Sequence, residues 1–278
     1  MKNYKRIALN GTKNKGGAGL STSVLAITTV MRATGGEEFD VLAIDADGFN
    51  RTFTQRLGQR DATGTLLLDQ DPYNGVAPAD LFARDGAAPI FEAIETDARV
   101  VVVDTPAGGL KQSKRLSENL TAGHLVQHCL DNDRTPLVLV PFGPTMASIR
   151  GIGEAIETFG SDAHIVAIRS NVGVDERDYR LWKTDPFIDR YGREIGGRTR
   201  KLFEEVGGRL IEAPALAAGP NAMAEALCLT YGEAATYKGP NWQTYDGLNV
   251  RNWLNSWVTQ LQTIADLLAM EDVNWKAF

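Results

Sequence analysis

The sequence predicts an α/β protein built on a doubly wound, mainly parallel β-sheet flanked by helices. Three observations predict it. Short apolar, β-rich runs alternate with helix-length stretches, the pattern of right-handed βαβ units. Several runs, above all Arg99-Val-Val-Val-Val-Asp104, are apolar without interruption, as strands covered on both faces must be. Gly makes up 28 of 278 residues, above the usual ~7%, which suits a chain with many tight turns.

The elements follow in order. A first strand over Arg6–Leu9 ends in Asn10-Gly11, and Ser21–Ala33 has helix length. Val41–Asp45 is a second strand ending on an acid, and Arg99–Asp104 is another. Residues 60–98 are less regular and read as an insertion or a lid. Lys111–Leu130 reads as a broken helix, followed by a strand at Pro136–Pro141 and a helix at Ser148–Phe159. A strand at His164–Arg169, a helix at Gly197–Val206, a weaker strand at Arg209–Ala213 and a helix at Asn221–Leu227 complete the alternation. Val250–Met270 places Trp253, Trp257, Leu261 and Ile264 near helical spacing. It reads as an amphipathic C-terminal helix that packs on the sheet or on a partner. The expectation is a single domain over 1–278.

Composition excludes several classes. Hydrophobic residues are 43% and charged residues 23%, so a disordered chain is excluded. No apolar run approaches the ~18 residues of a membrane span. The basic start, Met1 to Asn10, holds too short an apolar stretch for a signal peptide, so a cytoplasmic protein is expected. Two cysteines, Cys129 and Cys228, make no disulfide framework or metal motif and read as small hydrophobes. The net charge of −6 disfavours a globally basic nucleic-acid binder, but not a local basic face.

The most informative segment is Asn10-Gly-Thr-Lys-Asn-Lys15-Gly16-Gly17-Ala18-Gly19-Leu20-Ser21-Thr22. It follows the first strand and opens a helix, where a Gly-rich phosphate loop belongs. Glycines let backbone N–H groups converge on phosphate oxygens, and a hydroxyl just after the loop is placed to ligate Mg²⁺. Ser21 holds that position. The ordinary loop ends Gly-Lys-[Ser/Thr], whereas this one ends Gly19-Leu20-Ser21.

The wider pattern resembles the deviant Walker A P-loop ATPases of the ParA/MinD superfamily. Lys15-Gly16-Gly17-x-Gly19-x-Ser21-Thr22 is similar to their phosphate loop. Asp45-Ala46-Asp47 resembles their Asp-x-Asp at the end of strand two. Val-Val-Val-Asp104-Thr-Pro106-Ala-Gly108 resembles their Walker B and switch region, and Ile168-Arg-Ser-Asn171 their adenine-reading strand end. The resemblance covers about residues 5–230. It implies ATP/ADP and Mg²⁺ as cofactors. Gly16, Gly17, Ala18, Gly19, Leu20 and Ser21 would wrap the phosphates with backbone amides, and Thr22 would contact the α-phosphate. Ser21 would ligate the metal, with Asp45 and Asp104 holding it through water. Lys15 would reach across a homodimer to the partner's nucleotide, Asp47 would position water, and Asn171 would read adenine. The implied work is DNA segregation or plasmid partition, with a ParB-like adaptor as partner and a nucleoid-associated location. Bland roles remain for the same residues: Asp45, Asp47 and Asp104 as loop-capping acids, Lys15 as a solvated lysine, Asn171 as a turn residue.

Leu20 is the departure from that pattern. The missing lysine normally neutralises β/γ-phosphate charge. Three accounts stand: a weak nucleotide switch with little or no hydrolysis, substitution by Lys13 or Lys15, or an unusual or engineered variant of an active ATPase. A catalytically dead scaffold acting by protein–protein interaction in plasmid stability or conjugation is the alternative. Arg190, Arg193, Arg198, Arg200 and Lys201 form a basic run suited to non-specific DNA contact, although acids flank it. The aromatic tail from Tyr237 to Trp257 reads as core or interface, with base stacking as the other reading.

Overall fold

The computed structural model describes residues 5–10, 19–35, 39–109, 111, 116, 120–183, 186–271 and 273–278. Its strands are β1 (Lys5–Asn10), β2 (Val41–Asp45), β3 (Ala77–Pro78), β4 (Val100–Asp104), β5 (Arg134–Phe142), β6 (His164–Ser170), β7 (Phe187–Ile188), β8 (Glu194–Ile195) and β9 (Arg209–Ala213). Its helices are α1 (Leu20–Gly35), α2 (Thr52–Leu57), α3 (Ala88–Glu95), α4 (Ala122–Asp131), α5 (Met146–Phe159), α6 (Arg180–Lys183), α7 (Arg198–Glu205), α8 (Ala218–Ala226), α9 (Tyr231–Ala234) and α10 (Thr244–Gln262). A short 3₁₀ turn spans Glu176–Asp178.

Seven strands form a parallel sheet in the order β3-β2-β4-β1-β5-β6-β9. Strands β7 and β8 form a separate antiparallel hairpin. The alternation of side chains along each strand fills two cores. Val100, Val102, Leu137, Leu139, Val166 and Ile168 face α1, α2, α8, α9 and α10. Val101, Val103, Val138, Val140, Ile165 and Ala167 face α3 to α7. Burial on both sides is why these runs carry no alternating polar residues. No helix among the described residues is long and apolar enough to cross a membrane.

The chain order creates one crevice. From β1 the chain passes to α1 on the first face and then to β2. From β4 it passes through α4 on the other face to β5, crossing over β1. Connections therefore leave in opposite directions around the carboxyl end of β1, and open α/β sheets hold ligands at such a switch point.

Several boundaries differ from the sequence expectation. The C-terminal helix begins at Thr244 and ends at Gln262 rather than spanning 250–270. A capping box of Gln243 and Asp246 starts it early. After Gln262 the chain continues in turns, with Ile264 and Leu268 still buried. The aromatic tail belongs to the core: Trp242, Trp253 and Trp257 are buried, and Trp253 packs edge-on to Tyr231 at 4.6 Å. Tyr245 alone of those tail aromatics is exposed. The irregular stretch 60–98 supplies β3 and α3, and it is tied down by Arg32. That guanidinium, from the last turn of α1, donates to the carbonyls of Val41, Pro72 and Gly75. Of the broken helix expected over Lys111–Leu130, Lys111 is helical and α4 runs from Ala122 onward, while residues 112–115 and 117–119 lie outside the described residues.

Candidate functional site

The carboxyl ends of β2, β4 and β1 bring the candidate residues together. Asp45 and Asp104 stand opposite each other in the β2–β4 register, and both are 1% exposed. The Ala46 N–H donates to the Asp104 carbonyl at 2.8 Å, which ties the two strand ends together. Strand β4 lies directly beside β1. Two carboxylates therefore sit next to the end of the strand that leads into the Gly-rich loop.

Lys15, Gly16, Gly17 and Ala18, with Lys13, lie outside the described residues. The site is described from Gly19 onward. Gly19 has φ +76, a left-handed conformation, and open space where a side chain would project. The first turn of α1 is closed by Ser23, whose N–H and hydroxyl both donate to the Gly19 carbonyl at 2.9 and 2.8 Å. Ser21 and Thr22 are half-buried in that turn. Leu20 is half-buried and packs against the core on the α1 face of the sheet. An apolar side chain there turns inward for the same reason that a lysine would stay in water.

Asp45 has a structural duty. One of its oxygens accepts from the Thr54 N–H at 2.8 Å and the Thr54 hydroxyl at 3.0 Å; the other accepts from the Asp47 N–H at 3.1 Å. The carboxylate thus pins α2, whose own N-cap, Arg51, offers no side-chain cap. Thr54 was not among the sequence candidates; it lies nine positions after Asp45, and no motif marks the pair. Burial pushes the Asp45 carboxyl above its ordinary pKa, against the three hydrogen bonds that favour its charged form. The folded protein therefore holds this proton to higher pH than the unfolded chain. The Asp45 contribution to stability falls as pH rises from the unfolded value of about 3.9 through the folded one. Urea unfolding followed from about pH 7 down to about pH 4 is expected to show this component in the natural protein and not in Asp45→Asn. Identical pH profiles for the two would contradict it.

Asp47 caps the turn after β2. It accepts from the N–H groups of Phe49 and Asn50, each at 3.1 Å, and from the Asn50 amide at 3.0 Å. Two more bonds hold this turn: Arg51 N–H to the Asp47 carbonyl and Gln55 N–H to the Arg51 carbonyl. Phe49 is 81% exposed at its tip and meets Phe82 with ring centroids 5.9 Å apart.

Asn171 lies farther along the same end of the sheet, just past β6. Its side-chain amide donates to Glu212 at 2.8 Å, and its backbone N–H donates to Ala213. Glu212 also pairs with the buried Arg169. The basic run is split. Arg193 pairs with Asp189 at 2.7 Å and Arg200 with Glu204 at 3.2 Å. Arg198 and Arg200 line a cavity of about 410 Å³ against α5. Arg190 stacks on Tyr191. Among the described residues, Arg190, Arg198 and Lys201 make no salt bridge.

Neither a family model nor a curated protein matches this chain. The site's own chemistry therefore carries the reading. No cluster of three or more His, Cys, Asp or Glu stands ready for a metal among the described residues. A hydroxyl and carboxylates are nonetheless the donor types that suit Mg²⁺, which takes few protein ligands and completes its shell with water and phosphate. Cys129 is buried in α4 with its thiol pushed up to about 12 by burial, the behaviour of an inert core residue.

Proposed function

We propose that the chain is a ParA/MinD-like P-loop protein: a nucleotide-dependent dimerisation switch for DNA or plasmid partitioning, with weak or absent ATP hydrolysis. The observation that supports this best is the pairing of Asp45 with Asp104 beside the carboxyl end of β1, next to the loop that opens α1 at Gly19. ATP with Mg²⁺ supplies the phosphate charge and the phosphoanhydride bond. Backbone amides through Ser21 bind the phosphates, the Ser21 hydroxyl holds the metal, and Asp45 and Asp104 hold its water shell. Thr22 contacts the α-phosphate and Asp47 orients water. Asn171, its amide N–H₂ already given to Glu212, offers its carbonyl oxygen to the adenine amino group. Lys15 crosses to the partner's nucleotide.

One observation favours the catalytically dead scaffold as a second reading. The Leu20 side chain is a core-packing residue, and the Asp45 and Asp47 carboxylates already cap α2 and a turn. Titration of N-methylanthraniloyl-ATP with Mg²⁺, with light scattering to follow dimer formation and phosphate release in parallel, separates the two. Binding at micromolar levels with dimer formation supports the switch. A monomer that ignores nucleotide sinks it and leaves the scaffold.

For DNA, the exposed Arg190, Arg198 and Lys201 supply the contacts on this reading. Duplex affinity is expected to fall linearly in log–log salt titrations. Arg190→Ala with Lys201→Ala should reduce that slope by about 0.9 for each phosphate contact removed. An unchanged slope removes this face from the proposal.

A further inference from the structure

We propose that the cavity between α5 and α7 binds a linear tripeptide with free termini, its carboxylate at Arg150 and its ammonium at Glu157. The inference is independent of the nucleotide reading and concerns the face of the sheet opposite α1.

The cavity holds about 410 Å³, within the ~300–1,000 Å³ usual for small-molecule sites. One wall is a single side of α5, because Met146, Arg150, Gly153 and Glu157 recur at three- and four-residue intervals. The other wall is the end of the β7–β8 hairpin and the start of α7. Gly196 and Gly197 join hairpin to helix in left-handed conformations, with φ 84 and 58. A side chain at Gly197 would also strike the Pro186 ring at 2.7 Å, so glycine sets the course of this wall. Across the cavity, a Cβ placed on Gly153 would lie 3.8 Å from the Thr199 side chain. Ile149, Leu181 and Leu202 add apolar lining.

The charges say what fits. Arginines and glutamates line the cavity together. Arg200 is already engaged, by the Lys183 carbonyl and by Glu204. The side chains of Arg150, Arg198, Glu157 and Glu194 enter no hydrogen bond or ion pair among the described residues. Elsewhere on this surface opposite charges find each other: Arg193 pairs with Asp189 at 2.7 Å, Arg177 with Asp175 at 3.1 Å, and Lys183 with Glu176. Inside the cavity they do not, and a ligand carrying both signs satisfies both. A polyanion would set its phosphates against Glu157 and Glu194. Spacing fixes the length. Glu157 lies seven positions after Arg150, about 10 Å along a helix that rises ~1.5 Å per residue. An extended tripeptide covers the same span at ~3.3–3.6 Å per residue. The two charges of a single amino acid stand too close together to meet both groups.

The test is calorimetric titration of Ala-Leu-Ala into the protein, with thermal unfolding in parallel. The peptide should bind, and the melting temperature should rise with its concentration. Converting the carboxylate to the amide, or acetylating the ammonium, should each weaken binding by about 10- to 100-fold, the loss of one charge-assisted contact. The variants assign the ends. Arg150→Gln should bind free and amidated peptide alike, and Glu157→Gln should bind free and acetylated peptide alike. Gly153→Leu fills the cavity from α5 and should abolish binding, while its own melting temperature holds because leucine suits a helix interior better than glycine. No binding of Ala-Leu-Ala at millimolar concentration overturns the proposal. Equal affinity for the peptide blocked at both ends also overturns it, since the cavity would then take internal protein segments. Unchanged binding by Gly153→Leu, or by both charge variants, would place the peptide elsewhere and overturn it as well.

Discussion

Leu20→Lys is expected to tighten Mg²⁺–ATP binding by about 10- to 100-fold, the value of one charge-assisted contact of roughly 1.5–3 kcal/mol. On the nucleotide reading proposed above, the lysine ammonium would neutralise β/γ-phosphate charge. The same change has a stability cost, because Leu20 packs on the core of the α1–α10 face. A half-buried leucine loses about 1 kcal/mol of apolar burial, and the lysine stem recovers part of it by lying along the same surface. Affinity and melting temperature are thus expected to move in opposite directions. Leu20→Met serves as control: it keeps the burial and adds no charge, so affinity should stay put. A Leu20→Lys protein that folds yet binds nucleotide no better than the natural chain would mean that the loop does not present its amides to phosphate.

The largest stability effect is expected at Trp257. Its ring is 1% exposed in the middle of α10 and meets Trp253 edge-on, with centroids 6.4 Å apart and planes at 88°. Trp253 is itself fixed by an N–H bond to the Pro214 carbonyl at 2.8 Å. Trp257→Ala should cost about 3–5 kcal/mol through lost burial and the cavity left behind. That is a large share of the roughly 5–15 kcal/mol that holds a typical domain. Trp257→Phe should cost far less, because the indole N–H of Trp257 has no hydrogen-bond partner among the described residues. Urea midpoints rank the three proteins. Equal midpoints for the alanine variant and the natural protein would mean that α10 does not close this core.

These two residues show different degrees of legibility in the sequence. Trp253 and Trp257 announce a buried helical face by spacing alone, since four residues return to the same side of a helix. The limits of that helix were less plain, although Gln243 and Asp246 carry a capping signal that marks its true start. The strands ending on Asp45 and Asp104 could be read from β-branched runs bounded by an acid. That the two acids are neighbours could not, because 58 residues of chain lie between them and only the register of β2 on β4 makes them adjacent. Thr54 was invisible for a related reason: its bond to Asp45 depends on how α2 turns back after the strand.

Buried charge tells the same story. Arg134 opens β5 and would pass for a solvated strand end. Instead it is fully buried, with its guanidinium donating to the carbonyls of Ile94 and Thr96. Arg32 likewise looks like an ordinary charge in the last turn of a helix until the carbonyls of Pro72 and Gly75 arrive from about 40 residues away.

The sequence by itself determined the class of fold, the strand cores, the apolar face of α10 and the Gly-rich entry to α1, because each is written in local periodicity and turn chemistry. Tertiary structure alone decided the strand order, the pairing of Asp45 with Asp104 and the inward turn of Leu20. Those depend on contacts between distant segments, and such contacts form only when the whole sheet closes over its two faces.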